Sequence, residues 1–110
     1  MKHFLAIYTG NVSKPSTQPD EATIQKGMAA WGQWMQENSS RIIHAGGPLG
    51  KTKSISKAGV TDIRNAMTGY IILQAETHEE AAKLFENHPH FAIFPGEGVE
   101  VMECLPMPGV

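Results

Sequence analysis

The segment Gly69–Glu76 constrains the fold more than any other part of the chain. It is a short run of mostly β-forming residues, and a good helix cap, Thr77, follows it. Because successive side chains of a strand point to opposite faces, one face carries Ile71, Leu73 and Ala75, and the other carries Tyr70, Ile72 and Gln74. A strand that is apolar on both faces needs cover on both sides of its sheet.

Four further segments have the composition or alternation of strands: His3–Thr9, Arg41–Gly46, Lys53–Lys57 and Val99–Leu105. The polar alternation of Lys53–Lys57 predicts an edge strand that turns at Ala58-Gly59. The second strand ends in Gly46-Gly47-Pro48, which lets backbone approach backbone or ligand closely.

Two helices are predicted. The first begins at Pro19, with Asp20 and Glu21 in its first turn, and ends near 38–40. Its apolar stripe consists of Ile24, Met28, Trp31 and Met35, with Trp34 beside them. The second helix is capped by Thr77 and Glu80 and is ended by Pro89.

The predicted order of elements is β, α, β, a β hairpin element, β, α, β. This is the order of a ferredoxin-like plait, an α+β fold, with an extra hairpin strand. The 110 residues are enough for one domain, 1–110, and too few for two. Two helices cover one face of an antiparallel sheet, so we expect a homodimer in which a second copy covers the other face.

Composition narrows the possible partners. The chain has nine basic and eleven acidic residues, so neither a nucleic acid nor an anionic membrane is an expected partner.

The single Cys104 excludes an internal disulfide, and we treat it as a strand residue. The apolar run Phe4–Tyr8 is shorter than a signal peptide or a spanning helix, so a cytoplasmic location is expected.

Four segments together resemble the YCII-related (DGPF-domain) family: 45–49, 69–75, 77–82 and 88–91. The resemblance implies a dimeric α+β barrel made of ferredoxin-like protomers. It also implies a His/Asp site, with a His on the first helix and an Asp before the Pro that follows the second helix. This chain has no His on its first helix, and His88 precedes Pro89. Val60-Thr61-Asp62 resembles the start of the DGPF segment, but Ile63-Arg64-Asn65 stands in place of Gly-Pro-Phe.

His88 and His90 are the candidate catalytic residues, with Asp62 as a carboxylate that orients them. Imidazoles exchange protons near neutral pH and serve as general acids and bases. The alternative for His88 is a structural one, in which it caps free carbonyls at the end of the second helix. The alternative for Asp62 is a local ion pair with Arg64.

His44, Gly47 and Pro48 are the candidate ligand-binding residues, placed in a cleft between the sheet and the turn at 46–49. The His-x-His spacing at 88–90 would suit a metal, but no third ligand is fixed by the local sequence. We therefore expect no metal and no cofactor.

These residues favour a dimeric protein that binds a small organic molecule. If it is an enzyme, the expected chemistry is cofactor-free proton transfer, as in a lyase or isomerase acting on a small organic acid or phenol. The competing hypothesis is a non-catalytic metabolite-binding or interaction module, and the missing family dyad favours it.

Overall fold

The structure is a computed structural model that describes residues 1–10 and 19–109. The sequence also predicts a loop over 12–18, between the first strand and the first helix, and this loop lies outside the described residues. Six strands and three helices occur in the described part of the chain. They are β1 (Lys2–Thr9), α1 (Glu21–Glu37), β2 (Ile42–Pro48), β3 (Thr52–Ser56), β4 (Gly59–Ile63), β5 (Met67–Ala75), α2 (His78–Lys83), α3 (Pro89–Ala92) and β6 (Gly98–Glu103).

The main sheet is antiparallel, with the strand order β2-β5-β1-β6. The two central strands are β5 and β1, and β5 contains the segment that the sequence predicts as the central strand. This order, with helices connecting the strands, is compatible with an α+β ferredoxin-like fold. At Gly46, where φ is +66°, an added Cβ would overlap the Tyr70 carbonyl, so glycine allows β2 to approach β5.

The hairpin differs from the prediction of one added strand. β3 and β4 pair with each other in a separate two-stranded sheet, with Ser56 opposite Gly59. Gly59 has a φ of 117°, which the tight connection requires. The two strands therefore form a hairpin of their own and do not extend the main sheet.

The first helix begins at Glu21, two residues later than the predicted start at Pro19. Asp20 is its N-cap, and the Asp20 carboxylate accepts a hydrogen bond from the Thr23 amide at 2.7 Å. The buried side of this helix also differs from the predicted apolar stripe. Met28, a member of the stripe, is 62% exposed, whereas Gly27 is buried. The ring of Phe94, which follows α3 in the chain, packs so closely on Gly27 that a Cβ there would overlap it.

The second helical region also differs. Thr77 caps α2 as predicted, accepting from the Glu80 amide, but the Glu80 carboxylate pairs with Arg41. Pro89 does not end α2, which ends at Lys83; it opens the short helix α3. Proline is well suited to this first position, where its missing N–H costs no helical hydrogen bond.

The core lies between the helices and one face of the sheet. Its sheet side is formed by Phe4, Ala6, Tyr8, Ile71, Leu73 and Ala75, and its helix side by Trp34, Ala81 and Phe85. The other face of the sheet, which we call the open face, carries a cross-strand row of His44, Ile72, Leu5 and Met102. None of the helices in the described ranges has the length and apolar character needed to cross a bilayer.

Candidate functional site

A cluster of aromatic and imidazole rings lies on the helix side of the sheet, where β1 ends. It consists of Tyr8, Trp31, Trp34, Phe85, His88 and His90, and we call it the aromatic–histidine cluster. The His88 ring lies between the two indoles, with centroids 4.6 Å from Trp31 and 4.7 Å from Trp34. His88 is fully buried and His90 is 9% exposed. Titratable groups buried among rings in this way are typical of functional sites.

Local backbone geometry places the two histidines. Asn87 has a φ of 57°, a left-handed conformation that Asn tolerates better than most residues, and it turns the chain out of α2. His88 then acts as the N-cap of α3, and His90 lies in the first turn. A Cβ at Gly96 would overlap the His90 ring, so the glycine lets the returning chain pack against it.

Hydrogen bonds fix the proton positions in His88. The backbone amide of His90 donates to His88 Nδ1 at 3.0 Å, so this nitrogen carries a lone pair. Neutral imidazole then has its proton on Nε2, which lies 3.4 Å from the Tyr8 hydroxyl. His88 is therefore the donor and Tyr8 Oη the acceptor in this long contact.

Because Tyr8 Oη accepts from His88, the hydroxyl proton of Tyr8 is not used in this contact. Tyr8 is 5% exposed, and its hydroxyl contacts no other hydrogen-bond partner within 1–10 and 19–109. Burial raises the pKa of Tyr8 far above its usual range, so the phenol keeps its proton. The Tyr8 hydroxyl is thus a buried donor suited to a carbonyl or oxyanion oxygen.

His90 has one nitrogen engaged. His90 Nε2 lies 2.7 Å from the carbonyl oxygen of Thr9, so it must carry the proton and donate. Among the described residues, none bonds to His90 Nδ1. In neutral His90 this nitrogen is a lone pair that can accept a proton.

His88, in contrast, is held in its neutral form. Burial, with a smaller contribution from charge at His90, lowers the pKa of His88 to about 4. It also accepts an amide proton at the start of α3, so the predicted carbonyl-capping role is corrected: His88 caps N–H groups at a helix start. Both ring nitrogens are occupied, which makes His88 a group that positions Tyr8 and α3.

The structure does not bring the other predicted residues to the two histidines. His44 is exposed on the open face, where it stacks on Tyr70 and its Nδ1 accepts from the Gly46 amide at 2.9 Å. Gly47 and Pro48 pair with β5 at the edge of the sheet. Asp62 is exposed on the hairpin and pairs with Lys53 at 2.7 Å, and the expected partner Arg64 is not the one it contacts.

Four members of the cluster are not predicted as site residues. The sequence places Tyr8 in the first strand, Trp31 and Trp34 on the first helix and Phe85 on the second helix. The available signal was that two tryptophans and a histidine pair are concentrated in one short chain. That signal does not show which side of the first helix is buried, nor that the rings meet at the end of β1.

A cleft of about 300 Å³ lies beside the cluster and shares Phe85 with it. We call it the β6 cleft; its lining is Ala82, Phe85, Glu86, Phe91, Glu97, Gly98 and Val99. No histidine lines it. In the described part of the chain, no group of three or more His, Cys, Asp or Glu side chains could hold a metal ion.

Comparison with solved structures supports the fold. The chain is similar to 5-chloro-2-hydroxyhydroquinone dehydrochlorinase from Burkholderia phenoliruptrix AC1100, solved as a complex with 2,5-dihydroxybenzoquinone. The TM-score is 0.56 at 18% identity, over 94% of this chain and 93% of the other. No protein-family model matches the sequence, and no curated protein matches it either. The likeness therefore establishes a shared fold.

The depressed pKa of His88 predicts a pH-dependent stability. The folded pKa of about 4 lies below the 6.5 of a free imidazole, so stability is fully present above pH 6.5 and falls as pH drops towards 4. We expect a loss of up to about 3 kcal/mol in the free energy of unfolding across this window. Urea unfolding at several pH values measures it.

The matched variant is His88→Asn, because Asn keeps an N-cap acceptor but does not titrate. Carboxylates contribute to the slope of both proteins, so the difference between them isolates His88. Equal slopes from pH 4 to 6.5 would show that His88 is not held neutral by the fold.

Proposed function

We propose that the chain is a distant relative of the YCII-related family that binds a small oxygenated aromatic compound at the aromatic–histidine cluster. Its reaction is a cofactor-free proton transfer, an elimination or isomerisation. The observation that carries the proposal is the buried Tyr8 hydroxyl, which has a proton to donate and lies beside His90, whose Nδ1 can accept one.

The solved neighbour supports this substrate class. Its name describes loss of hydrogen chloride from a chlorinated hydroquinone, and its complex holds a dihydroxybenzoquinone. Such a ring is flat and bears oxygen acceptors. The cluster offers the partly exposed ring of Trp31 for stacking and the Tyr8 hydroxyl as one donor for an oxygen.

The hydrogen bonds of Tyr8, His90 and His88 suggest a different role for each residue in the reaction. Tyr8 donates to a substrate oxygen and stabilises negative charge that develops there. His90 Nδ1 removes a proton from the substrate, and in an elimination the leaving group departs with its bonding electrons. The products are the dehydrohalogenated ring and HX, so no electron acceptor is needed. His88 is a positioning residue.

This chain has other residues in place of the His/Asp dyad of the family that it resembles. His88 stands before Pro89, where the family has Asp, and it packs against Trp31 and Trp34 of α1, the helix on which the family has its His. Proton transfer in this chain therefore depends on His90 and Tyr8. Asp62, which is exposed on the hairpin, and His44, which is exposed on the open face, have no role in this reaction.

A non-catalytic metabolite-binding module is the second candidate. The observation that favours it is the neutral, fully buried His88, which contributes a structural cap and no proton transfer near neutral pH. Binding of the same ligand class without turnover is the result that identifies this alternative.

The open face supports a homodimer. The row of Ile72, Leu5 and Met102 crosses β5, β1 and β6, and Met102 is 41% exposed. Packing this face against a second copy would remove the row from water, as in a dimeric α+β barrel.

The functional test has two stages. Trp31 and Trp34 are the two tryptophans of the chain, so their fluorescence reports binding of 2,5-dihydroxybenzoquinone at the cluster. Chloride release from 5-chloro-2-hydroxyhydroquinone then measures turnover. We expect His90→Gln to lower kcat by roughly 100-fold to 10,000-fold, because the general base is lost.

The control is His3→Gln, which replaces an exposed histidine at the opposite end of β1 and should leave kcat unchanged. Ligand binding with no turnover in the wild-type protein would support the binding module. Full activity of His90→Gln would contradict the assignment of His90 as the general base. Absence of binding would contradict a ligand site at the aromatic–histidine cluster.

The dimer is tested with a matched pair of methionines. Met102→Glu places a charge on the open face, whereas Met28→Glu places one on α1, where Met28 is 62% exposed. We expect the first variant to dissociate at micromolar concentration in light scattering and the second to remain dimeric. A monomeric wild-type protein, or two variants with equal mass, would contradict packing through this face.

A further inference from the structure

The β3–β4 hairpin is a two-stranded sheet with exposed apolar side chains. Ile55 and Val60 lie directly opposite each other, and they are 73% and 62% exposed. The pair Lys53 and Asp62 occupies the same face of the hairpin, two positions along. Isolated two-stranded hairpins are marginally stable in water, so a partner that covers this face would stabilise the fold.

The shape of the protein agrees with a projecting arm. The radius of gyration is 15.7 Å, and the extents are 48 × 37 × 19 Å. A compact domain of this length has a radius of gyration of about 13 Å. Among the described elements, β3 and β4 pair with each other and not with the main sheet, as expected of a projecting hairpin.

The hairpin and the β6 cleft have opposite charges. The segment 51–64 carries Lys51, Lys53, Lys57 and Arg64 against one acidic residue, Asp62. The β6 cleft combines the carboxylates of Glu86 and Glu97 with apolar walls. Within 1–10 and 19–109, none of the ion pairs involves Lys57, Glu86 or Glu97. A cationic hairpin tip with an apolar pair has the chemistry that this cleft would accept.

The topology places the two surfaces on opposite edges of the sheet. The hairpin connects β2 to β5 and leaves the sheet at its β2 edge, whereas β6 forms the other edge. If two sheets pack face to face about a two-fold axis parallel to the strands, the β2 edge of each protomer lies beside the β6 edge of its partner. The hairpin of one protomer then approaches the β6 cleft of the other, twice in each dimer.

We propose that the hairpin tip, residues 55–60, docks in the β6 cleft of a second copy of this chain. Ile55 and Val60 contact the apolar walls at Phe91 and Val99, and Lys57 pairs with Glu86. This inference rests on the open-face homodimer proposed above. It adds the contact that covers the hairpin.

A charge exchange tests the docking. Lys57→Glu and Glu86→Lys should each raise the dimer dissociation constant roughly tenfold, because each of the two symmetric contacts is lost. The double variant should restore most of the wild-type affinity. Lys26→Glu, on the exposed side of α1, is the control and should have no effect. Sedimentation equilibrium measures the dissociation constants of the wild-type protein and of the four variants.

The outcomes separate this inference from the homodimer itself. A wild-type dimer that neither single variant weakens overturns the docking and leaves the open-face dimer intact, with the cleft open to another ligand. Two weakened single variants without recovery in the double also overturn the pairing. A monomeric wild-type protein overturns both.

Discussion

The backbone amide of His90 donates to His88 Nδ1, and this one hydrogen bond determines the proton positions of His88 and Tyr8. It makes His88 an Nε2–H donor, which makes Tyr8 Oη an acceptor and frees the phenol proton. Burial keeps both groups in these neutral forms, by lowering the pKa of His88 and raising that of Tyr8. The surrounding indoles exclude water from the same atoms, so a donor at this place is strengthened by the low local polarity.

The fold supplies this arrangement from three separate elements. β1 brings Tyr8 to the helix side of the sheet, α1 supplies the indoles, and the turn into α3 presents the histidines. Gly27 and Gly96 are small where Phe94 and the His90 ring pack against them, so α1, α3 and the chain before β6 close around the cluster. The site therefore depends on packing contacts distant in sequence, and its two titratable residues come from a turn that the helix caps define.

Local signals explain what the sequence predicts well. The alternation of Gly69–Glu76 predicts a central strand and Thr77 predicts a helix start, because the strand pleat and the capping of amides depend on a few neighbouring residues. Tertiary contacts account for the elements that the sequence predicts wrongly. A proline in a sequence can end one helix or begin the next, and Pro89 begins α3. The packing of Phe94 on Gly27 determines which side of α1 is buried. His88 and His90 are two positions apart in the sequence, so their proximity follows from it, whereas Tyr8 could not be paired with them, since 80 residues separate Tyr8 from His88.

The most direct test of the account is the affinity of Tyr8→Phe for 2,5-dihydroxybenzoquinone, compared with Tyr70→Phe, which changes the other tyrosine of the chain. Calorimetric titration measures both. A buried hydroxyl that donates to a ligand oxygen predicts a roughly tenfold or larger loss of affinity for Tyr8→Phe and none for Tyr70→Phe. Equal affinity in the two variants would contradict the donor role of Tyr8 and the assignment of protons on which it depends.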